Sequence, residues 1–486
     1  MMTRNNADQY VNTHRIEKKE RPAFHVTAPV GWINDPNGFS VYKDKIHLFY
    51  QYHPYSTVWG PMHWGHCVTK DFITWEELPV ALAPDQEFDA AGCFSGTAIE
   101  VEGKHVLFYT GVTEQEKEDG TKSSFQNQCM AIGDGQTYEK SDANPVIDGT
   151  MLPANCNRSE FRDPKIWKAE DGTYYVLAGN KTYDGIPQVV LFRSKDLKQW
   201  SFASVFAKDD DGQFGTMWEC PDYFRLEDTD VFICSPQDMM ADKEFHNGNN
   251  VACFLGKFNE DTLTFHTDKA FSLDYGFDFY APQSIETTDG RRVLIGWMQS
   301  WDTTNALPRG QKWAGMMTIP RELELKGDIL FQNPVRELAN YHTNETIVKT
   351  AVRGESKLNG IQGRILDMTV QVEDGDFSRF SIALAADCKH RTTFSYSKTT
   401  KELTCDRTYA GWIRDINCTR TMHVKNEAGL KNLRFVMDQH SIELFINYGE
   451  QVFSTAIYTP MDAEDIIFDC DGVVNITVTK YDLCFC

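Results

Sequence analysis

Polar residues recur at one position of a repeated strand pattern, and three of them are carboxylic acids. Each marked residue opens a short strand, which a turn separates from a second, apolar strand. The marked residues are Asp35, Ser95, Asp163, Glu219 and Tyr280, spaced 56 to 68 residues apart. Repeats of short strands at this period are typical of propeller blades, whose first strands surround one axis. The sequence therefore predicts that three carboxylates meet at that axis.

Two carboxyl groups that face each other are the minimum equipment for hydrolysing a glycosidic bond. One must be ionised to attack or to activate water, and the other must carry a proton for the leaving oxygen. Asp35 suits the first role, because amide donors from Asn34 and Asn37 would lower the pKa of its carboxyl group. An Asx turn at Asp-Pro-Asn-Gly is an equally common reason for an aspartate at this place.

Glu219 and Asp163 suit the remaining roles. Glu219 lies between Trp218 and Cys220 in an apolar run, and such surroundings suit an acid/base residue. Asp163 follows Arg162, which could hold it ionised and ready to bind sugar hydroxyls. Each residue also has a purely structural interpretation, as a turn residue or as half of an Arg–Asp pair. Their shared position in the repeat favours the chemical interpretation.

The same repeat predicts an all-β protein. The predicted regions are a charged leader (1–22), a five-bladed β-propeller catalytic domain (23–333), a linker (334–344) and a β-sandwich (345–486). The sandwich is inferred from short strands that alternate polar and apolar residues. Within the leader, residues 12–20 are expected to form a short helix. The polar stretch from Thr113 to Gln128 is expected to form a loop over one blade.

Composition and charge narrow the class of partner. The 486 residues carry 48 basic and 70 acidic side chains, a net charge of −22, which disfavours binding to nucleic acid or to anionic membranes. Thirteen scattered cysteines and the absence of an apolar N-terminal run predict reduced thiols in the cytoplasm. No nucleotide motif is found, so no cofactor is expected. His63 and His66 could ligate a metal only on a helix; in a strand they point to opposite faces, and packing is favoured.

Longer motifs resemble glycoside hydrolase family 32, the β-fructofuranosidases. They are Arg21-Pro22-x-Phe24-His25, Gly31-Trp32-Ile33-Asn34-Asp35-Pro36-Asn37-Gly38, Phe94-Ser95-Gly96, Phe161-Arg162-Asp163-Pro164, Trp218-Glu219-Cys220-Pro221-Asp222 and Trp313-Ala314-Gly315-Met316-Met317. The resemblance implies a retaining enzyme with Asp35 as nucleophile, Glu219 as general acid and then base, and Asp163 as the stabiliser of the transition state. In a retaining enzyme the carboxyl groups of Asp35 and Glu219 lie about 5–5.5 Å apart.

The resemblance also implies a fructose pocket and a substrate class. The pocket residues would be Asn34, Gln51, Trp59, Phe94, Ser95, Arg162, Tyr280 and Trp301. The implied substrates are sucrose, sucrose-6-phosphate and short fructo-oligosaccharides, cleaved at the terminal non-reducing β-D-fructofuranosyl unit. Thr97, where many members have serine, is a mild departure.

Several alternatives stay open. A fructosyltransferase would use the same carboxylates with a sugar as acceptor, and a non-catalytic sugar-binding propeller would usually lack at least one of them. Arg309 and Lys312 form a small basic island that could bind a phosphorylated sugar, although solvated loop charges are the ordinary explanation. The sandwich could support a homodimer or could be structural only.

Overall fold

The computed structural model describes residues 2–117, 119–304, 307–411 and 417–485. Its strands confirm the all-β prediction. The described α-helix, α1, spans Arg4–His14. Thr3 caps its N-terminus, because the Thr3 hydroxyl accepts a hydrogen bond from the backbone N–H of Asn6 (3.3 Å). The helix predicted over 12–20 is therefore misplaced, because this cap and the buried pair Ala7 and Val11 fix an earlier start. No described helix is long and apolar enough to span a membrane.

Short 3-10 helices punctuate the chain. They span Lys18–Glu20, Glu87–Asp89, Gly149–Met151, Arg336–Tyr341 and Asn447–Gly449.

Sheets of four or five strands, antiparallel except for one parallel pair in the first sheet, make up the first two thirds of the chain. The first contains β1 (Gly31–Tyr42), β2 (Lys45–His53), β3 (His63–Thr69) and β4 (Glu76–Leu82). The second contains β5 (Gly92–Val101), β6 (Lys104–Glu116), β7 (Lys122–Gly133) and β8 (Tyr138–Lys140). The third contains β9 (Cys156–Lys168), β10 (Tyr174–Thr182), β11 (Pro187–Ser194) and β12 (Ser201–Lys208).

Two further sheets complete the propeller. The fourth contains β13 (Met217–Leu226), β14 (Thr229–Gln237), β15 (Ala252–Asn259) and β16 (Thr264–Ser272). The fifth contains β17 (Tyr280–Glu286), β18 (Arg292–Trp297), β20 (Arg321–Lys326) and β21 (Ile329–Pro334). The two-residue strand β19 (Trp313–Ala314) lies between β18 and β20 in the chain. It pairs in parallel with β1 and so belongs to the first sheet. The loop predicted from Thr113 to Gln128 is wrong, because β6 and β7 pair in register through most of it.

The rest of the described chain forms two six-stranded sheets. One runs β22 (His342–Val352), β33 (Val473–Leu483), β24 (Leu366–Asp376), β29 (Asn432–Asp438), β30 (Ser441–Ile446) and β31 (Gln451–Ala456). The other runs β23 (Ser356–Gln362), β32 (Asp465–Cys470), β25 (Arg379–Ala386), β26 (Arg391–Ser397), β27 (Glu402–Tyr409) and β28 (Thr419–His423). One apolar core contains residues of both sheets, for example Phe435 and Phe468, as in a β-sandwich.

The first strands of the five propeller sheets contact one another in a closed cycle, β1–β5–β9–β13–β17 and back to β1. Polar atoms join each neighbouring pair. The bonds run from Gly96 N to Asn37 Oδ1 (3.1 Å), Thr97 Oγ1 to Pro164 O (2.9 Å), Lys165 Nζ to Asp222 Oδ1 (2.7 Å), Ser284 N to Asp222 Oδ2 (2.7 Å) and Phe39 N to Gln283 Oε1 (3.3 Å). These bonds close the axial ring beneath the candidate site.

His25 connects the propeller to the sandwich. Its Nδ1 lies 2.9 Å from Asp438 Oδ2 and its Nε2 lies 2.9 Å from Glu443 Oε1. Burial favours the neutral imidazole, but hydrogen bonds and charges of the two carboxylates outweigh burial and raise the pKa of His25 to about 9. The imidazolium is therefore charged at neutral pH and donates to a carboxylate on each side.

We expect this contact to make the stability of the protein depend on pH. The pKa of His25 is higher in the folded protein (about 9) than in the unfolded chain (6.5). The stabilisation is therefore complete below pH 6.5 and is lost as the pH rises through about 9, on the order of 3 kcal/mol in all. Urea unfolding of the protein and of His25→Gln should show a free-energy difference that shrinks over this range.

The matched control is His266→Gln, at an exposed histidine beside Asp268. This variant should follow the unsubstituted protein at every pH. A difference between His25→Gln and the unsubstituted protein that stays constant from pH 6 to about 9.5 would show that His25 is not charged in the fold.

Candidate active site

Every first strand of the propeller is bulged at its marked residue. The pairing register shifts between Ile33 and Pro36 in β1, and between Phe94 and Gly96 in β5. Equivalent shifts occur at Asp163 in β9, after Glu219 in β13 and after Tyr280 in β17. A β-bulge bends a strand and redirects a side chain. Each bulge thus interrupts the regular alternation of its strand at the marked residue or directly after it.

Left-handed backbone accompanies three of the bulges. The φ angles are 63° at Asp163, 47° at Cys220 and 49° at Ala281. Residues other than glycine adopt this conformation at a cost, which the surrounding contacts must offset. Here Cys220 N donates to Asp163 Oδ2 (3.0 Å) and Ala281 N donates to Ser235 Oγ (3.0 Å). Each strained peptide therefore donates to a side chain on a different strand.

Asp35 keeps one carboxylate oxygen without a partner. Its Oδ2 accepts a hydrogen bond from Ser95 Oγ (2.5 Å) and lies 3.6 Å from Cys220 Sγ. Its Oδ1 is buried and has no hydrogen-bond partner among the described residues. A buried acceptor without a donor is costly, so this oxygen is an evident place for a ligand or for attack on one.

Burial raises the pKa of Asp35, and the charge of Glu219 raises it further, although the hydrogen bond from Ser95 and the neighbouring amide of Asn34 lower it. The expectation that amide donors give Asp35 a low pKa is therefore wrong, because burial is the larger effect. Asn37 contributes no donor: its Oδ1 accepts the Gly96 amide and its Nδ2 has no partner among the described residues.

Three donors converge on Glu219. Arg162 Nε lies 3.0 Å from Oε1, whereas Gln237 Nε2 and Tyr280 OH each lie 2.8 Å from Oε2. The apolar surroundings predicted for this carboxylate are therefore wrong. Trp218 points into the apolar core of its blade, and strand alternation sends the next side chain, Glu219, toward the axis.

Asp163 lies next to the same guanidinium, with its Oδ2 3.9 Å from Arg162 Nε. Its backbone N–H donates to Thr110 Oγ1 (3.0 Å), which fixes the bulge to blade 2. Burial raises the pKa of Asp163; Arg162 lowers it, and the charges of Glu219 and Asp35 raise it again. Arg162 therefore does not by itself hold Asp163 ionised as predicted. The guanidinium of Arg162 pairs with three carboxylates, those of Glu160, Asp163 and Glu219.

Aromatic side chains border this cluster. Trp301 stacks on Trp32, with ring centroids 6.4 Å apart and an interplanar angle of 16°. Trp59, with 44% of its surface exposed, meets the edge of Phe94 at 5.9 Å. Gln51 is buried and donates to Cys93 O (2.9 Å).

The predicted pocket residues take different places in the structure. Asn34, Ser95, Arg162 and Tyr280 bond directly to the carboxylates or adjoin them. Phe94 and Trp301 pack around the apolar cluster that contains Tyr280. Trp59 contacts Phe94, and Gln51 bonds to the backbone of Cys93.

Sequence reasoning missed two residues of the site. Cys220 was visible beside Glu219 but had no assigned role; its amide and thiol contact two of the carboxylates. Gln237 comes from the second strand of blade 4, 18 residues after Glu219, and no sequence motif marks it. His66 pairs with His47 (3.0 Å) and stacks on Phe49, which agrees with the packing interpretation of this histidine.

A closed ring of bulged strands with paired carboxylates at its axis defines a glycoside hydrolase of the propeller class. Models of the glycosyl hydrolases family 32 N-terminal domain and C-terminal domain match residues 25–334 and 335–482. The chain belongs to glycosyl hydrolase family 32.

Relatives and solved structures agree with this assignment. A sucrose-6-phosphate hydrolase of Zymomonas mobilis is 35% identical over 444 residues, covering 87% of this chain and 83% of the relative. A raffinose invertase of Escherichia coli is 33% identical, covering 92% of this chain and 91% of the relative. The structure of a β-fructofuranosidase of Bombyx mori superposes with a TM-score of 0.84 at 32% identity, covering 99% and 98% of the two chains.

Ser95→Ala should raise the pKa of Asp35, because the substitution removes a hydrogen bond that favours the charged carboxylate. Carbon-13 NMR of protein labelled at the aspartate carboxyl carbons measures this pKa, and the Asp35→Asn spectrum assigns the resonance. Ser40→Ala is the matched control, since Ser40 lies in β1 as Asp35 does but bonds to His105 and not to Asp35. An unchanged titration of Asp35 in Ser95→Ala would contradict the electrostatic role of this hydrogen bond.

Proposed function

We propose that this chain is a retaining exo-β-fructosidase. It removes the terminal non-reducing β-D-fructofuranosyl unit from sucrose, sucrose-6-phosphate or short fructo-oligosaccharides. The observation that carries the proposal is the unpartnered Oδ1 of Asp35, in a cluster where Glu219 is held by three donors. The named activities of the relatives, sucrose-6-phosphate hydrolase and raffinose invertase, support the choice of substrate.

The proposed reaction has two steps. Asp35 Oδ1 bonds to the anomeric carbon of fructose while the bond from that carbon to the leaving oxygen breaks, and Glu219 gives its proton to that oxygen. A water molecule then attacks the same carbon, Glu219 takes the water proton, and the ester to Asp35 breaks. Asp163 binds fructose hydroxyls and stabilises positive charge on the ring. Those hydroxyls would also favour the ionised forms of the buried Asp35 and Asp163.

The pocket, the domains and the compartment complete the proposal. Residues 23–333 would form the catalytic domain, which residues 334–344 join to a sandwich over 345–486. The aromatic residues Trp59, Phe94 and Trp301 would bind the sugar faces. The proposed reaction needs no cofactor. Apart from Cys418 and Cys484, the ten described cysteines are free thiols, which supports work in the cytoplasm on imported sugar. A homodimer stays a prediction.

Glu219→Gln should lower kcat for sucrose by about 10²–10⁴-fold, because the leaving oxygen loses its proton donor. Asp35→Asn should abolish fructose release, since an amide cannot form the ester. The measurement is fructose release from sucrose, with proton NMR to identify the first anomer formed. Retention requires that the β-anomer appears first.

Glu139→Gln, at an exposed glutamate of blade 2, is the control and should keep full activity. Full activity in Asp35→Asn or Glu219→Gln would refute the assigned roles. At high sucrose concentration, trisaccharide products in place of free fructose would show a fructosyltransferase instead.

Arg309 and Lys312 give a prediction about phosphorylated substrate. Both are exposed, and neither forms an ion pair with another described residue. They lie between β18 and β19 in the chain, as Trp301 does, and both Leu307 and Trp301 pack on the cluster that contains Trp32. If this loop binds the phosphate, Arg309→Gln with Lys312→Gln should raise KM for sucrose-6-phosphate by about tenfold or more and leave KM for sucrose unchanged. An equal change in KM for the two sugars would show that Arg309 and Lys312 do not bind the phosphate group.

A further inference from the structure

The segment 238–250, which joins β14 to β15 in blade 4, touches three parts of the protein; we name it the brace segment. It begins directly after Gln237, the residue that donates to Glu219 Oε2. Its two ends are tied together, because Met239 and Gly248 exchange backbone hydrogen bonds (2.8 and 3.0 Å) and Asn250 N donates to Pro236 O (3.1 Å). Any displacement of the segment is therefore passed to the end of β14.

Blade 4 supplies the first anchor of the brace segment. Phe245 is buried and packs with Met239, Trp218 and Phe254 in one apolar cluster. Trp218 is the neighbour of Glu219 in β13. The segment is thus linked to the acid/base residue by two routes: Gln237, directly before the segment, bonds to Glu219, and Phe245 and Met239 pack with the neighbouring Trp218.

The sandwich side supplies the second anchor. Glu244 Oε1 accepts hydrogen bonds from Ser272 N (2.9 Å), Tyr275 OH (2.5 Å) and Lys425 Nζ (2.8 Å). Lys425 follows β28 of the sandwich, and its own N–H donates to Gln451 Oε1 (2.9 Å). Its ammonium also lies over the ring of Tyr275, 5.5 Å from the centroid. The carboxylate of one propeller loop is thus held by a cation from the other domain.

Blade 5 supplies the third anchor. Asn249 donates to both oxygens of Asp302, from its backbone N–H and from its amide, each at 2.8 Å. Gly248 leaves room for this carboxylate, because a Cβ there would lie 2.6 Å from Asp302 Oδ2. Asp302 is the neighbour of Trp301, so this anchor is at the border of the pocket.

We propose that Glu244 and Lys425 are positioning residues through which the sandwich aligns the general acid. The sandwich fixes the brace segment, the brace segment fixes Gln237, and Gln237 orients the carboxyl group of Glu219 toward the leaving oxygen. Small displacements of a catalytic group cost rate even when the group itself is intact. This inference rests on the proposed function, because it concerns the protonation of a glycosidic oxygen.

The test compares two fructosides that differ in their need for an acid. Sucrose has a poor leaving group that must be protonated, whereas the nitrophenolate of p-nitrophenyl β-D-fructofuranoside leaves without a proton. Because kcat/KM reports formation of the fructosyl-enzyme, Lys425→Met should lower kcat/KM for sucrose about tenfold more than for the aryl fructoside. Lys425→Arg, which keeps the charge, should restore the ratio of the two constants.

Lys269→Met is the matched control. Lys269 also pairs with a carboxylate, that of Asp328 (2.7 Å), and lies over the Phe271 ring as Lys425 does. Among the described residues, its side chain forms no ion pair with the brace segment. Its substitution should leave the ratio unchanged. An equal loss on the two substrates in Lys425→Met, or no loss, would overturn the inference. Absence of fructose release by the unsubstituted protein from either fructoside would instead refute the proposed function.

Discussion

The closed ring of bulged first strands is the constraint on which the site depends. A bulge interrupts the pairing of its own strand, so its peptide groups must find partners elsewhere. In this protein the peptide partners come from neighbouring blades: Asp163 N donates to Thr110, Cys220 N to Asp163 and Ala281 N to Ser235. The carboxylates are held across blades as well, because Ser95 bonds to Asp35, and Arg162 and Tyr280 bond to Glu219. No blade builds a working carboxylate alone. The site exists only when the ring is closed.

Closing the ring brings three carboxylates close together, and their mutual repulsion and their different surroundings set their protonation. Asp163 and Glu219 share the guanidinium of Arg162, and burial raises the pKa of Asp35 and of Asp163. Two carboxyl groups with equal environments could not divide the tasks of attack and proton donation. Here their environments differ: Asp35 has one free oxygen, whereas both oxygens of Glu219 are occupied. A bound sugar would change this balance, because its hydroxyls can donate hydrogen bonds to the carboxylates.

The sequence was sufficient for the repeat and therefore for the ring. The period of the marked residues predicted the propeller, and alternation predicted the sandwich, because these patterns are local. Contacts between distant parts of the chain could not be predicted. Gln237 bonds to Glu219 from a different strand, and His25 meets Asp438 across 413 residues. The predicted lowering of the pKa of Asp35 was wrong for the same reason. The amide donors that would lower the pKa are visible in the motif, whereas the burial that raises it depends on the whole ring.

Charges at the boundary between the domains argue that the sandwich has one fixed orientation. Two cations, His25 and Arg321, are buried there against three carboxylates; Arg321 donates to Asp274 (3.0 Å) and to Glu443 (2.7 Å), and His25 shares Glu443. An apolar boundary tolerates sliding, whereas a buried charge that loses its partner costs several kcal/mol. A boundary of this kind therefore favours a single arrangement of the two domains. Only a sandwich held in one arrangement can give Lys425 a constant position, from which its ammonium group holds Glu244 and so fixes the brace segment beside the catalytic centre.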